Sequence, residues 1–167
     1  EQLIAEERTA DRQTNEVLRG RLRNLDSLHA VIALSPTASV QDAVTAMIEH
    51  RVGCVLVTQE GRLEGLFCEW DVVRRVGAHG LDPTQVALQD VMTPDPEVLS
   101  RDSKLVFALN KMTVGGFRHI PIVDSKGRPE AVVSMRDVVE HVVSFYADVI
   151  YNLPDSDSTI PSTREGA

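Results

Sequence analysis

The chain has 167 residues, of which 43% are hydrophobic and 25% charged, a balance that predicts one compact domain or two small ones sharing a core. Its net charge of −8 at pH 7 argues against nucleic acid as a partner, and no apolar run approaches the roughly 18 residues of a membrane-spanning helix. Because the N-terminus shows no secretory signal, we expect a cytoplasmic protein. The chain begins without Met, which leaves open whether residues precede Glu1.

Residues 1–26 are predicted to form an N-terminal helix, because Leu18, Leu22 and Leu25 recur at helical spacing. Residues 27–80 then form a first folded unit. Its sequence reads as a short apolar strand, an amphipathic helix, two strands joined by a turn, and a second helix. The run VGCVLV (52–57) is continuously apolar, as expected of a strand covered on both faces.

A second copy of this unit is predicted over residues 87–148, after a linker rich in Gly and Pro. The stretch FRHIPIVDSKGRPEAVVSMRD (117–137) matches RVGCVLVTQEGRLEGLFCEWD (51–71) at an offset of 66 positions, with Asp137 opposite Asp71. A unit of about 60 residues has little core of its own, so we expect the two copies to pack together. Residues 149–167 are polar and Pro-containing and are predicted to form a flexible tail.

The duplicated β-α-β-β-α pattern resembles a tandem pair of CBS domains, named after cystathionine β-synthase and also called a Bateman module. The resemblance depends on MTPDP (92–96), RHIPIVD (118–124) and the Ser-x-x-Asp at 134–137, and covers roughly residues 28–147. It implies an α/β fold in which two copies pack as a pseudo-two-fold pair with two clefts. Such clefts commonly bind AMP, ADP, ATP, S-adenosylmethionine or NAD(H). The resemblance also implies a homodimer that regulates a downstream protein, which the sequence does not identify, and catalyses no reaction.

The second copy carries the residue types that an adenosine nucleotide requires. One carboxylate can accept hydrogen bonds from both ribose hydroxyls, which makes Asp137 the expected ribose partner. The phosphates need hydrogen-bond donors and positive charge near a helix start. The candidates for that role are Ser134, Arg136, Arg118 and His119. By the resemblance, the adenine slot is formed by Ile120, Pro121, Met92 and Thr93.

The first copy departs from this pattern and predicts a weaker second cleft. Asp71 remains, but Cys68 stands where Ser or Thr is expected, and a thiol is a weak hydrogen-bonding group. Trp70 replaces the arginine found at 136, and is predicted either to stack on a base or to fill the cleft. Arg74 or the arginine after it is placed one turn on, where it could reach a phosphate.

Other interpretations of the same residues remain open. Ser134-x-x-Asp137 is also a plain capping box that needs no ligand. The chain could be a dimerisation module without a ligand, or a piece that regulates a larger enzyme or transporter. Cys54 and Cys68 lack CxxC spacing, and the histidines show no metal-ligand spacing, so the sequence predicts no metal site. No GxxxxGK or HExxH motif and no convincing nucleophile–base pair is present, so catalysis is not predicted.

Overall fold

The computed structural model describes residues 19–145, and these residues form the two-copy α/β fold that the sequence predicts. The first copy comprises β1 (Ala33–Leu34), α1 (Val40–His50), β2 (Cys54–Gln59), β3 (Arg62–Cys68) and a short helix α2 (Glu69–Asp71). A π-helical segment, Val72–Val76, continues α2, and a 3₁₀ turn follows at Gly77–His79.

The second copy repeats the order helix, strand, strand, helix after two short elements. It comprises α3 (Leu88–Val91), β4 (Thr93–Pro94), α4 (Leu105–Gly115), β5 (His119–Val123), β6 (Pro129–Ser134) and α5 (Met135–Phe145). The longest helices of the described part have 11 residues. Within residues 19–145, no helix is long and apolar enough to cross a membrane.

Each copy contributes a short segment to the sheet of the other copy. The first sheet has the order β1-β2-β3-β4, in which Thr93 of β4 pairs antiparallel with Leu66 of β3. In the second sheet, β5 and β6 form a hairpin, and His29 from the first copy pairs antiparallel with Val132 of β6. Leu66 and Val132 are separated by the 66-residue offset of the repeat. The exchange is therefore reciprocal, and it decides which residues border each cleft.

Two helix ends follow the local sequence signals. Ser39 and Asp42 form a capping box at the start of α1, with the Ser39 N–H donating to Asp42 Oδ2 at 2.9 Å and the Asp42 N–H donating to Ser39 Oγ at 3.1 Å. The pKa of Asp42 is lowered first by the Ser39 hydroxyl, which donates to Oδ2 at 2.8 Å, and then by the Ser39 N–H. At the other end of the fold, α4 ends at Gly116, whose φ of 71° lies in the left-handed region that glycine adopts without strain.

Three apolar clusters hold the described residues together. One lies in each copy, under its helices, and includes Phe67 in the first copy and Ile120 in the second. A third cluster joins the two sheets and contains Cys54, Leu56 and Leu66 from the first copy. The two copies therefore share buried apolar surface, which is what the small size of each unit requires.

The predicted N-terminal helix does not extend through residues 20–26. Arg21 pairs with Lys104 in a single bridge, and Leu22–Asn24 forms a 3₁₀ turn whose Leu22 N–H donates to Ser103 O at 2.9 Å. The apolar spacing indicated burial correctly, since Leu22 and Leu25 lie in the core of the second copy. Tertiary hydrogen bonds replace the helical ones here. Residues 1–18 and the predicted tail, 149–167, lie outside the described residues.

Candidate functional site

Two clefts lie where the copies meet, one beside each aspartate of the repeated motif. The Asp137 cleft has a volume of about 510 Å³ and the Asp71 cleft a volume of about 460 Å³. Both lie within the range of about 300–1,000 Å³ that is usual for small-molecule sites. The Asp137 cleft is lined by residues of both copies, including Ser27, His29, Arg51, Val52, Gly53, Arg118, His119, Ser134, Arg136 and Asp137.

Asp137 lies in the first turn of α5, and its side chain is only 1% exposed. The Ser134 N–H donates to Asp137 Oδ2 at 2.6 Å, and the Asp137 N–H donates to Ser134 Oγ at 3.2 Å. These reciprocal bonds form the capping box that the sequence allows without a ligand. The box uses Oδ2 and leaves Oδ1 for another partner.

That partner is His29, whose Nε2 lies 3.1 Å from Asp137 Oδ1. His29 is held beside β6 because it exchanges two backbone hydrogen bonds of 3.2 Å with Val132. Its side chain is 44% exposed, whereas the carboxylate beneath it is buried. Sequence reasoning gave His29 no role. The repeat contained a signal for it, because His29 precedes the first copy at the position where Met92-Thr93 precedes the second.

The predicted phosphate-binding residues line this cleft in different settings. Arg118 and His119 border both clefts. Arg136 borders the Asp137 cleft, but its Nε donates to Glu140 Oε1 at 2.8 Å and its side chain is 83% exposed. The hydrogen bond to Glu140 raises the pKa of Arg136. Arg51, at the C-terminus of α1, adds a cation from the first copy that the sequence analysis did not include.

The four residues predicted to form the adenine slot lie elsewhere. Ile120 and Pro121 are buried in β5, with Ile120 in the core of the second copy. We expected Met92 and Thr93 beside Asp137, but β4 pairs with β3, so Thr93 borders the Asp71 cleft instead. The cause is the exchange of segments between the copies. Apolar side chains that do line the Asp137 cleft are Ala30, Ile32, Val52 and Val132.

The Asp71 cleft repeats the motif with a different partner for the carboxylate. The Cys68 N–H donates to Asp71 Oδ2 at 2.9 Å, and Arg75 Nε lies 3.2 Å from Asp71 Oδ1. The Arg75 guanidinium also donates to Val91 O at 2.8 Å, to Met92 O, and to Thr93 Oγ1 at 3.0 Å. Arg75 is therefore fixed over Asp71 by the chain around it. The i,i+4 spacing of this ion pair was visible in the sequence.

Trp70, Arg74 and Cys68 also line the Asp71 cleft, as the sequence predicts for the first copy. Trp70 is 56% exposed, so it borders the cleft without filling it. The pKa of Cys68 is raised, first by its hydrogen bond with the Cys54 thiol and then by burial. At neutral pH this thiol is accordingly protonated, and it offers less to an anionic ligand than a serine hydroxyl does.

Paired β-α-β-β-α units with a cleft beside each Ser/Cys-x-x-Asp motif define the class of protein, which comparison with known families confirms. The family model of the CBS domain matches residues 25–78 and 88–144. The chain therefore belongs to the CBS domain family and contains a tandem pair of these domains. The resemblance identified in the sequence is confirmed.

Known relatives share the domain in proteins of different length. The CBS domain-containing protein CBSCBSPB1 of Arabidopsis thaliana is 35% identical over 114 residues, which cover 68% of this chain and 21% of that protein. The chain spans about a fifth of the length of that relative and of a second one from the same plant. The shared region is therefore the CBS pair.

Solved structures show the same fold. The CBS-domain containing protein ATU1752 of Agrobacterium tumefaciens is 30% identical, with a TM-score of 0.62 over 67% of this chain and 89% of that one. The CBS domain protein PAE2072 of Pyrobaculum aerophilum, solved in complex with AMP, is 22% identical, with a TM-score of 0.67 over 77% of this chain and 99% of that one. At this identity the second likeness concerns the fold alone.

Proposed function

We propose that this CBS pair is a regulatory module that binds an adenosine nucleotide in the Asp137 cleft. The observation that carries the proposal is the buried carboxylate of Asp137, which a half-exposed His29 covers in a cleft that Arg51 and Arg118 also line. Movement of His29 leaves Oδ1 free to accept the ribose hydroxyls, while the Ser134 N–H keeps Oδ2 in place. The fold supports the proposal, because PAE2072, a protein of the same fold, was solved with AMP.

The remaining parts of the ligand find complementary groups in the same cleft. The phosphate is an anion, and Arg51 and Arg118 bring cations from the two copies, with the N-terminus of α5 close to Ser134. The apolar face of adenine fits the aliphatic side chains of Ile32 and Val52. AMP is the simplest ligand with these three parts. ADP, ATP, S-adenosylmethionine and NAD(H) contain the same adenosine and are the alternatives.

Binding in this cleft would act on the whole pair, because its walls come from both copies. Arg51 belongs to the first copy and Arg118 to the second, and His29 crosses from the first copy to the second sheet. A ligand that contacts all three favours one relative position of the copies over others. We propose that a downstream protein reads this change and that the module itself catalyses no reaction.

Thermal unfolding of the nucleotide-free full chain tests the proposal. AMP, ADP, ATP, S-adenosylmethionine, NAD⁺ and NADH are added separately, and a ligand at 100 times its Kd stabilises the folded state by about 2.7 kcal/mol. We expect at least one of the six to raise the unfolding temperature. Guanosine monophosphate is the control for the base. No shift with any of the six would contradict the proposed function.

We also propose that the module forms a homodimer through its helices. Apolar side chains are exposed on α1, α4 and α5, where a soluble monomer normally carries polar ones; they are Ile48, Phe107, Val114, Val139 and Phe145. Light scattering after size exclusion should give twice the mass of one chain. Val139→Glu should shift the mass towards one chain, whereas Leu81→Glu, at another exposed apolar position, in the linker, should not. A single-chain mass at every concentration would contradict the dimer.

A further inference from the structure

Three side chains that the nucleotide site does not require meet between the two copies. The Cys54 and Cys68 sulfur atoms and a ring nitrogen of His119 all lie within 4.8 Å of one another. Cys54 begins β2 and Cys68 ends β3, where the two residues are cross-strand partners. His119 begins β5 in the second copy. The sequence did not reveal this cluster, because its members are 14 and 51 positions apart and only the packing of the sheets brings them together.

The polar groups of this cluster lack the partners that buried polar groups normally have. Both cysteines are free thiols, and Cys54 is buried. Nδ1 of His119 is buried and has no hydrogen-bond partner among the described residues. A buried polar atom without a partner is rare and is often explained by an ion or water. Either imidazole nitrogen can bind a metal, and the choice fixes the role of the other one.

The chemistry of the donors selects the class of metal. Two cysteine sulfurs, which release their protons to solvent when the metal binds, and one imidazole form a soft set that suits Zn²⁺ and excludes Mg²⁺ and Ca²⁺, which need oxygen ligands. In a tetrahedral zinc site the ligand atoms are about 3.5–3.8 Å apart, given Zn–S of about 2.3 Å and Zn–N of about 2.0 Å. The three donor atoms, all within 4.8 Å of one another, therefore have to approach by at most about 1.3 Å to reach that spacing.

We propose that Cys54, Cys68 and His119 bind one Zn²⁺ ion at the junction of the two clefts. Three protein ligands leave the fourth position of a tetrahedral ion for water or a carboxylate. Glu69 is a candidate for that carboxylate: it lines both clefts, and its Oε2 and the His119 ring both border the space above Gly53. Because the ligands come from both copies, the ion cross-links the first hairpin to β5.

Metal binding by the full chain tests this site independently of nucleotide binding. The protein is reduced, treated with EDTA and titrated with Zn²⁺ or Co²⁺. We expect one ion per chain, a higher unfolding temperature with Zn²⁺, and a thiolate-to-cobalt charge-transfer band in the near ultraviolet with Co²⁺. Both cysteines and all five histidines lie within the described residues, so other sites with these ligands can be tested one by one.

Two variants and a control separate this site from adventitious binding. Cys68→Ser keeps the turn into the helix, because serine stands at the equivalent position 134. It should weaken Zn²⁺ binding by more than about 100-fold, which exceeds the loss caused by changing a residue that only contacts a metal ligand. His119→Gln should do the same, while His79→Gln, outside both clefts, should not. Failure to bind Zn²⁺, unchanged binding by Cys68→Ser, or conversion of the two thiols to a disulfide in the presence of Zn²⁺ would overturn the proposal.

Discussion

The two clefts share one motif but differ in what covers the carboxylate. In both, the aspartate in the first turn of a helix accepts the N–H of the residue three positions earlier through Oδ2. In the first copy, Arg75 occupies Oδ1 of Asp71 at 3.2 Å. In the second, His29 lies 3.1 Å from Oδ1 of Asp137. A cation or imidazole therefore sits where a ribose would be expected in each cleft.

The two clefts differ in how firmly the residue beside the carboxylate, Arg75 or His29, is held in place. Besides its ion pair, the Arg75 guanidinium donates to three acceptors in residues 91–93, so its departure breaks several hydrogen bonds at once. The His29 imidazole is 44% exposed, and its ion pair with Asp137 is the only one it forms among the described residues. Because the imidazole of this pair is half exposed, solvent screens it, and we expect the pair to be weaker than the several bonds that hold Arg75. We therefore expect a copy of the motif to bind a ligand only where the neighbour of its carboxylate can move away.

The largest expected effect comes from removing the charge in each cleft in turn. Asp137→Asn should weaken AMP binding by about 10- to 100-fold, because hydrogen bonds to a charged group contribute about 1.5–3 kcal/mol. The matched variant Asp71→Asn should leave the Kd within about twofold. Isothermal titration calorimetry measures both. An equal loss of AMP affinity in the two variants would mean that Arg75 and His29 do not determine which cleft binds the nucleotide.

Removal of the fixed cover should create a second site. Arg75→Met keeps an unbranched apolar stem but ends the ion pair and the bonds to residues 91–93. We expect the stoichiometry to rise from one AMP per chain to two, with the new site the weaker because Cys68 replaces serine there. Equilibrium dialysis gives the number of sites. A stoichiometry of one would show that Arg75 is not what closes the Asp71 cleft.

A smaller effect concerns the stability of the second copy without ligand. Ser134→Ala removes the oxygen that accepts the Asp137 N–H at 3.2 Å, and loss of such a cap costs about 0.5–2 kcal/mol. Ser134→Cys, which installs the residue of the first copy, should lose most of the same free energy of unfolding. Urea denaturation measures both variants. An unchanged midpoint in Ser134→Ala would show that the capping box does not stabilise α5.

The smallest effect is expected from replacing His29, the residue that contacts Asp137. His29→Ala exposes Oδ1 of Asp137 and should tighten AMP binding by up to about fivefold, the equivalent of about 1 kcal/mol, because the contact with His29 no longer has to be broken. His50→Ala, an exposed histidine outside both clefts, is the control. Calorimetry resolves a change of this size. Weaker binding in His29→Ala would indicate that His29 contacts the nucleotide instead of making way for it.

The sequence predicted the features that depend on local patterns. The duplicated α/β unit, the capping box of α1 and the aspartate of each motif followed from apolar spacing, turn residues and the 66-residue offset. The spacing of Leu22 and Leu25 predicted a helix, but hydrogen bonds to Arg101 and Ser103 decide the conformation there, and both side chains lie in the core. The spacing of apolar residues indicates which side chains are buried more reliably than it indicates the secondary structure that buries them.

The features that the sequence could not supply depend on pairing between distant segments. Met92-Thr93 was assigned to the cleft at Asp137, yet β4 joins the first sheet and brings Thr93 to Asp71. The same exchange carries His29 to Asp137. The cluster of Cys54, Cys68 and His119 likewise arises only where the two sheets meet. Each of these contacts crosses from one copy to the other.

A crystal structure of the chain with AMP would test the central claim most directly. The account predicts one nucleotide, with its ribose hydroxyls on Oδ1 of Asp137, His29 moved away from that oxygen, and the Asp71–Arg75 ion pair intact. A ribose bound at Asp71, or a nucleotide bound elsewhere while His29 still contacts Asp137, would contradict it.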